Sequence, residues 1–223
     1  MKKLLVFIAF VSTLNITAQV VNDTIDVNYL EDQLYISLTY NLLNSKPTGI
    51  SQNGFSGGFS IGFIKDIPIN KERNFGFGVG AGYAFNANIH NLKINEINGS
   101  TSFSIAKNFD VNRITTHAIE FPFEVRFRNS TPIKYKFWRV YAGMKFSYLF
   151  TAKYKFKDAS ELVVIKSPSP INNFKYGLTI SAGYEVWNIY IYYGLKPLFN
   201  NAFLESEKIK MKDVHVGLKL YIM

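Results

Sequence analysis

Three histidines, two closely spaced carboxylates and a glycine run are the parts of this 223-residue chain whose types and spacing could do chemistry. His117 stands three residues before Glu120 and follows Ser100, Ser102 and Ser104. That segment holds the base, orienter and nucleophile an acyl-transfer site needs, but no local signature ties them together. His90 and His215 are isolated, and a lone histidine in a wall or loop is more often structural. Gly76-Phe77-Gly78-Val79-Gly80-Ala81 spells a dinucleotide fingerprint, which works only where a helix follows to hold the pyrophosphate. Here strand alternation runs on to Phe85, so no cofactor is expected. Zero cysteines remove thiolate metal sites and disulfides. No catalytic, cofactor or metal residue is assigned. Glu120 and Glu124 flank Pro122 and read either as an acidic ligand pair or as filling for an interior.

The elements that must position these residues are strands. Apolar residues recur with period two, and no helical period persists. Eight runs of about ten residues result, Leu34 to Leu42, Phe55 to Phe63, Phe75 to Phe85, Ala118 to Arg128, Arg139 to Phe150, Lys175 to Val186, Ile189 to Lys196 and Asp213 to Ile222. That is the length a tilted strand needs to cross a bilayer. Pro122, which donates no ladder hydrogen bond, should mark a local irregularity. The connections alternate between long and short, the longest being Asn86 to Arg113 and Ala152 to Asn172. Outer-membrane barrels have short periplasmic turns and longer extracellular loops, and an even strand number puts both termini in the periplasm.

Composition agrees with this reading. Aromatics make up 16% of the chain, with 20 Phe and 14 Tyr, and only 18% of residues are charged. The N-terminus reads Met1-Lys2-Lys3, an apolar run from Leu4 to Val11 and a small residue at Ala18. This is a secretory signal covering residues 1–18, too short for a membrane anchor. Losing Lys2 and Lys3 lowers the formal charge from +9 to +7, and export excludes a nucleic-acid partner for what remains basic. Residues 19–32 are expected to form an acidic periplasmic tail and 33–223 the barrel.

Period alone does not say which face is inside, and a soluble lipocalin-like carrier is the rival. An eight-stranded barrel is only just wide enough for side chains, so a face of Phe, Tyr, Leu and Ile on every strand would overfill it and must point to lipid. The other face mixes small residues with Glu120, Glu124, Arg126, Arg139, Lys145, Glu185, Asp213, His215 and Lys219. These are expected to form a salt-bridged plug, because isolated buried charges are costly and paired ones tolerable. Trp138 and Trp187 fall at the short-turn end, as an interfacial aromatic girdle requires. Lys134, Lys136, Lys153, Lys155 and Lys157 read as solvated charge, or as contacts to lipopolysaccharide. The fold class is therefore all-β, an eight-stranded antiparallel up-and-down transmembrane barrel with a polar filled lumen, in the outer membrane of a Gram-negative cell.

The run Ile119-Glu120-Phe121-Pro122-Phe123-Glu124, with Val140-Tyr141-Ala142-Gly143, Tyr176-Gly177 and Ala182-Gly183-Tyr184-Glu185, resembles the PorT-like outer-membrane β-barrel family of Bacteroidetes. A signal ending Thr17-Ala18-Gln19 is similar to exports of that phylum. The resemblance implies a non-enzymatic envelope protein associated with type IX secretion and an envelope protein partner. The final stretch from His215 to Ile222 looks like a barrel-assembly signal and implies transient contact with the insertion machinery. The alternative kept open is a lipid A-modifying enzyme using a loop or wall histidine.

Overall fold

Alternation of apolar and polar residues closes on itself here. The computed structural model describes residues 32–97, 100–129 and 137–222, and every regular element among them is a strand. In chain order these are β1 (Gln33–Asn44), β2 (Gly57–Pro68), β3 (Phe75–Ile89), β4 (Leu92–Ile97), β5 (Ser100–Ile105), β6 (Val111–Arg128), β7 (Trp138–Lys157), β8 (Leu162–Lys166), β9 (Phe174–Tyr184), β10 (Trp187–Gly194), β11 (Phe203–Leu204), β12 (Glu207–Lys208) and β13 (Lys212–Ile222). Eight of them, β1, β2, β3, β6, β7, β9, β10 and β13, pair antiparallel with their neighbours in the ring, and β13 pairs with β1 to shut it. Closure leaves the eight ring strands no free edge along the apolar belt to template aggregation. The expected signal segment, the tail up to Glu31, Lys134 and Lys136 lie outside the described residues.

Each barrel strand buries one face and bares the other. Leu38 is 62% exposed and Ile189 64%, whereas Arg126 is 0% and Glu120 2% exposed. A bilayer demands this inversion, with apolar side chains outward and polar ones in the lumen. A soluble carrier would show the reverse. The lumen is filled by opposing small against large side chains. A Cβ on Gly78 would strike the Arg126 guanidinium, and one on Gly82 would strike the Tyr35 hydroxyl.

The strand limits differ from the sequence reading in informative ways. β6 begins seven residues before Ala118 and β7 runs seven beyond Phe150. Between them the register shifts at His117/Ala118, so that Ala118 faces Leu149, His117 faces Thr151, and Phe150 is the extra residue. That bulge inverts the parity of β7: Lys145, Ser147 and Leu149 are buried below it, Ala152, Tyr154 and Phe156 above it. Pro122 is not the irregular point on that side, where it pairs in register with Lys145. Toward β3 the ladder skips Phe121 and Pro122 without changing register.

Above the bulge the inner face turns apolar. The long connections are not bare loops: β4 and β5 form a hairpin, β8 folds back on the end of β7, and β11 pairs with β12. Together with the strand ends they enclose a hydrophobic core. Ile50 comes from the first long connection, Leu92 and Ile94 from the second, Ile165 and Ile171 from the third, and Leu198, Phe199 and Ile209 from the fourth. The molecule is thus a charged tube closed at its long-loop end by an apolar cap.

Candidate functional site

The lumen is the largest concentration of charged side chains. At the short-turn end Asp66 on β2 accepts from both nitrogens of the Arg128 fork, Nη1 to Oδ1 and Nη2 to Oδ2, at 2.7 Å each. It also accepts from Arg126 Nη1 at 3.0 Å. Arg126 uses Nε on Glu124 at 3.3 Å and Nη2 on the Gln33 side-chain oxygen Oε1 at 2.7 Å. Arg128 Nε donates to the Arg73 carbonyl at 2.9 Å, which ties the plug to the β2–β3 turn. Planar guanidinium forks match carboxylates bidentately, so arginine suits this buried position better than lysine.

Higher in the tube the pairs continue. Lys219 Nζ lies 3.0 Å from Glu124 Oε1, where the Tyr221 hydroxyl also donates at 2.9 Å. Lys145 Nζ is 2.9 Å from Glu120 Oε2, and the Tyr35 hydroxyl donates to Glu120 Oε1 at 2.7 Å. Nearest the cap, Lys175 donates to Asp213 at 2.6 Å and Asn88 to the same carboxylate at 3.3 Å. The ammonium groups also face rings, Lys219 over Tyr35 at 4.4 Å and Lys145 over Tyr192 at 4.6 Å. Buried ions persist when each is paired and its remaining valences are satisfied. Among the described residues, cavities of about 20 and 10 Å³ lie around Lys145 and His215, on the order of one water molecule in size.

The residues read from the sequence occupy this network unequally. Glu120, Glu124, Arg126, Lys145, Asp213 and Lys219 are in its ion pairs, and the His215 ring lies 5.0 Å from Tyr192 beside the smaller cavities. Arg139 is buried without an acid. Its three guanidinium nitrogens have no hydrogen-bond partner among the described residues, and it lies 4.5 Å over the Phe137 ring. Glu185 lies at the end of the tube and not on a strand wall. It sits in the β9–β10 turn at φ 53°, half-buried, with its N–H donated to the Phe137 carbonyl, because β9 ends at Tyr184. Asp66, three residues beyond the Phe55 to Phe63 run read from the sequence but inside β2, is the acceptor that reading missed. The parity running Ser60, Gly62, Ile64, Asp66 carries the signal, hidden because Lys65, Asp66 and Pro68 look like turn residues.

Among the described residues the histidines, serines and Glu120 are not brought together. His117 Nδ1 is 2.6 Å from the Tyr83 hydroxyl on the outer face, among Phe85 and Phe150, whereas Glu120 points into the lumen. Ser100, Ser102 and Ser104 lie on β5, which pairs with β4 in the cap. His90 is fully buried in the cap, and burial pushes its imidazole down to about 4. The Gly76 to Ala81 run is inside β3, with no helix after it. Among the described residues no group of three His, Cys, Asp or Glu side chains is placed to hold a metal ion. Trp138 and Trp187 project outward at the starts of β7 and β10, with Trp138 5.4 Å from the Tyr184 ring.

An apolar belt outside and an ion-paired lumen inside define an outer-membrane barrel, and the family comparison agrees. The chain belongs to the outer membrane protein beta-barrel domain family, whose model matches residues 17–200. No curated protein matches the sequence. Among solved structures it is similar to Ail, the attachment invasion locus protein of Yersinia pestis, at 12% identity and TM-score 0.36, covering 86% of this chain and 97% of that one. A second crystal structure of Ail, in complex with the heparin analogue sucrose octasulfate, matches at 14% identity and TM-score 0.37, covering 86% and 99%.

Proposed function

We propose that this protein is a non-enzymatic scaffold of the outer membrane that displays a rigid cap to other envelope components. The observation that carries the reading is the cap itself. Four long connections share one hydrophobic core, so the outer end offers a fixed surface of the kind recognition uses. The long-loop end faces outward and the short turns and both termini face the periplasm, following the loop asymmetry of such barrels. Trp138 and Trp187 then serve as the periplasmic girdle. The plug is structural and conducts nothing. Sequence resemblance to the PorT-like family supports a secretion-associated role, with type IX export as the process served and an envelope protein as the partner.

Two measurements test this. Photo-crosslinking residues placed at Phe203 on the cap and at Leu178 on the lipid face should differ, with a defined protein adduct from the cap position alone. Deletion of the chain should reduce export of type IX cargo. Equal adduct patterns from both positions, or unchanged export, would defeat the respective claims.

A further inference from the structure

Just above the bulge the outer wall carries a strip of cations that no described acid neutralises. The register sets Arg113 directly opposite Lys155, and Lys153 directly opposite Lys166. Like charges in directly opposed positions destabilise a sheet. Yet none of the four has a carboxylate within 4 Å among the described residues, and the nearby acids are used elsewhere, Asp110 on Lys157 and Glu161 on Lys93. The bulge makes the arrangement possible. With the parity of β7 inverted at Phe150, Tyr154 and Phe156 turn into the cap core and Lys153 and Lys155 turn out.

The height of the strip says what meets it. From Trp138, exposed at the start of β7, to Tyr148, exposed near the bulge, ten residues at about 3.3 Å each and a tilt of about 40° span roughly 25 Å, the height of the apolar band. Phe150 and the Tyr83–His117 pair mark its upper rim. Lys153 lies about 10 Å higher and faces sideways, at the level of lipid headgroups. A soluble polyanion would meet the top of the cap, whereas this strip looks along the membrane surface.

We infer that Arg113, Lys153, Lys155 and Lys166 form a binding strip for the phosphate groups of a phosphorylated outer-leaflet glycolipid. This deepens the proposed function and rests on its orientation, with the long-loop end outward. Bound phosphates would supply the negative charge the two opposed pairs lack.

The experiment uses the full mature chain folded in neutral detergent, with bisphosphorylated lipid A and its dephosphorylated form as probes and native mass spectrometry as the readout. Wild type should retain the phosphorylated form preferentially. Lys153→Gln/Lys166→Gln should weaken retention about 25-fold, at about fivefold per cation. Lys65→Gln at the opposite end should stay within twofold. Without lipid, the double variant should unfold at a temperature equal to or above wild type, because a like-charge pair is gone; this separates lost binding from lost folding. Equal retention of the two lipids, an unaffected double variant, or a preference for soluble heparin over lipid A would overturn the strip. Sedimentation of the wild-type chain apart from outer membranes would instead defeat the proposed function and leave the detergent result standing.

Discussion

Replacing Asp66 with asparagine should cost the barrel about 3–5 kcal/mol, the penalty for breaking a buried ion pair by removing one partner. Three N–H···O contacts of 2.7, 2.7 and 3.0 Å converge on this carboxylate from two guanidinium groups, all of them with side chains no more than 1% exposed. Asparagine keeps the shape but leaves both forks facing a neutral amide. At about 1.4 kcal/mol per factor of ten, the folding equilibrium should fall by roughly two to three and a half powers of ten. Removing a stranded cation should recover part of this, so Asp66→Asn/Arg128→Met should show a coupling of about 1–3 kcal/mol. Lys65→Gln, which breaks the exposed 3.6 Å pair with Asp32, is the contrast at about 0–1 kcal/mol. The assay is urea unfolding in phosphatidylcholine vesicles, followed by the fluorescence of Trp138 and Trp187 and by the mobility of unboiled samples on gels. An Asp66→Asn barrel within about 1 kcal/mol of wild type would refute the reasoning, since it would mean that water or lipid ions already solvate the arginines.

Val79→Arg, at the middle of the lipid face of β3, should destabilise the vesicle-embedded barrel by about 2–4 kcal/mol, while Ile105→Arg on the cap surface should change little; equal effects would contradict the placement of the apolar belt. Gly82→Val should cost about 1–3 kcal/mol by driving the Tyr35 ring off Glu120, measured by the same urea titration. Phe156→Ala should open the cap at a cost of about 3–5 kcal/mol and raise hydrogen exchange in β4, β5 and β8, while the exchange of β1 and β13 stays unchanged. Acid should act on the cap through His90. With the folded imidazole at about 4 against 6.5 when unfolded, this contribution is intact above pH 6.5. It is lost progressively as pH falls to 4, by about 3 kcal/mol, so cap proteolysis should rise at pH 4.5 and His90→Leu should flatten that dependence.

The membrane-spanning part was legible because lipid imposes one rule on every strand. Leu34, Leu38 and Leu42 alternate with Tyr35, Ser37, Thr39 and Asn41, and the burial of β1 follows that order residue by residue. Legibility ended where the lipid ends. Beyond Phe150 the apolar residues move inward and Lys153 and Lys155 move out, so a search for the same apolar face loses β7 although the strand continues. The one-residue bulge that reverses parity carries no sequence mark of its own. The lumen pairs were half readable for a related reason. Parity places Glu120, Glu124 and Arg126 inside, but which cation each acid meets depends on strands brought together by closure, such as Lys219 on β13 reaching Glu124 on β6.

The cap also bears on the order in which the chain matures. Its core takes side chains from four connections and the strand ends between Leu43 and Met211, and the first and fourth of these connections become neighbours only once β13 has zipped onto β1. An unclosed intermediate can align its hairpins and yet leaves that core incomplete where the first and fourth connections must meet. Protease resistance at the long-loop end should therefore appear late and all at once, which makes it a clock for the final seam.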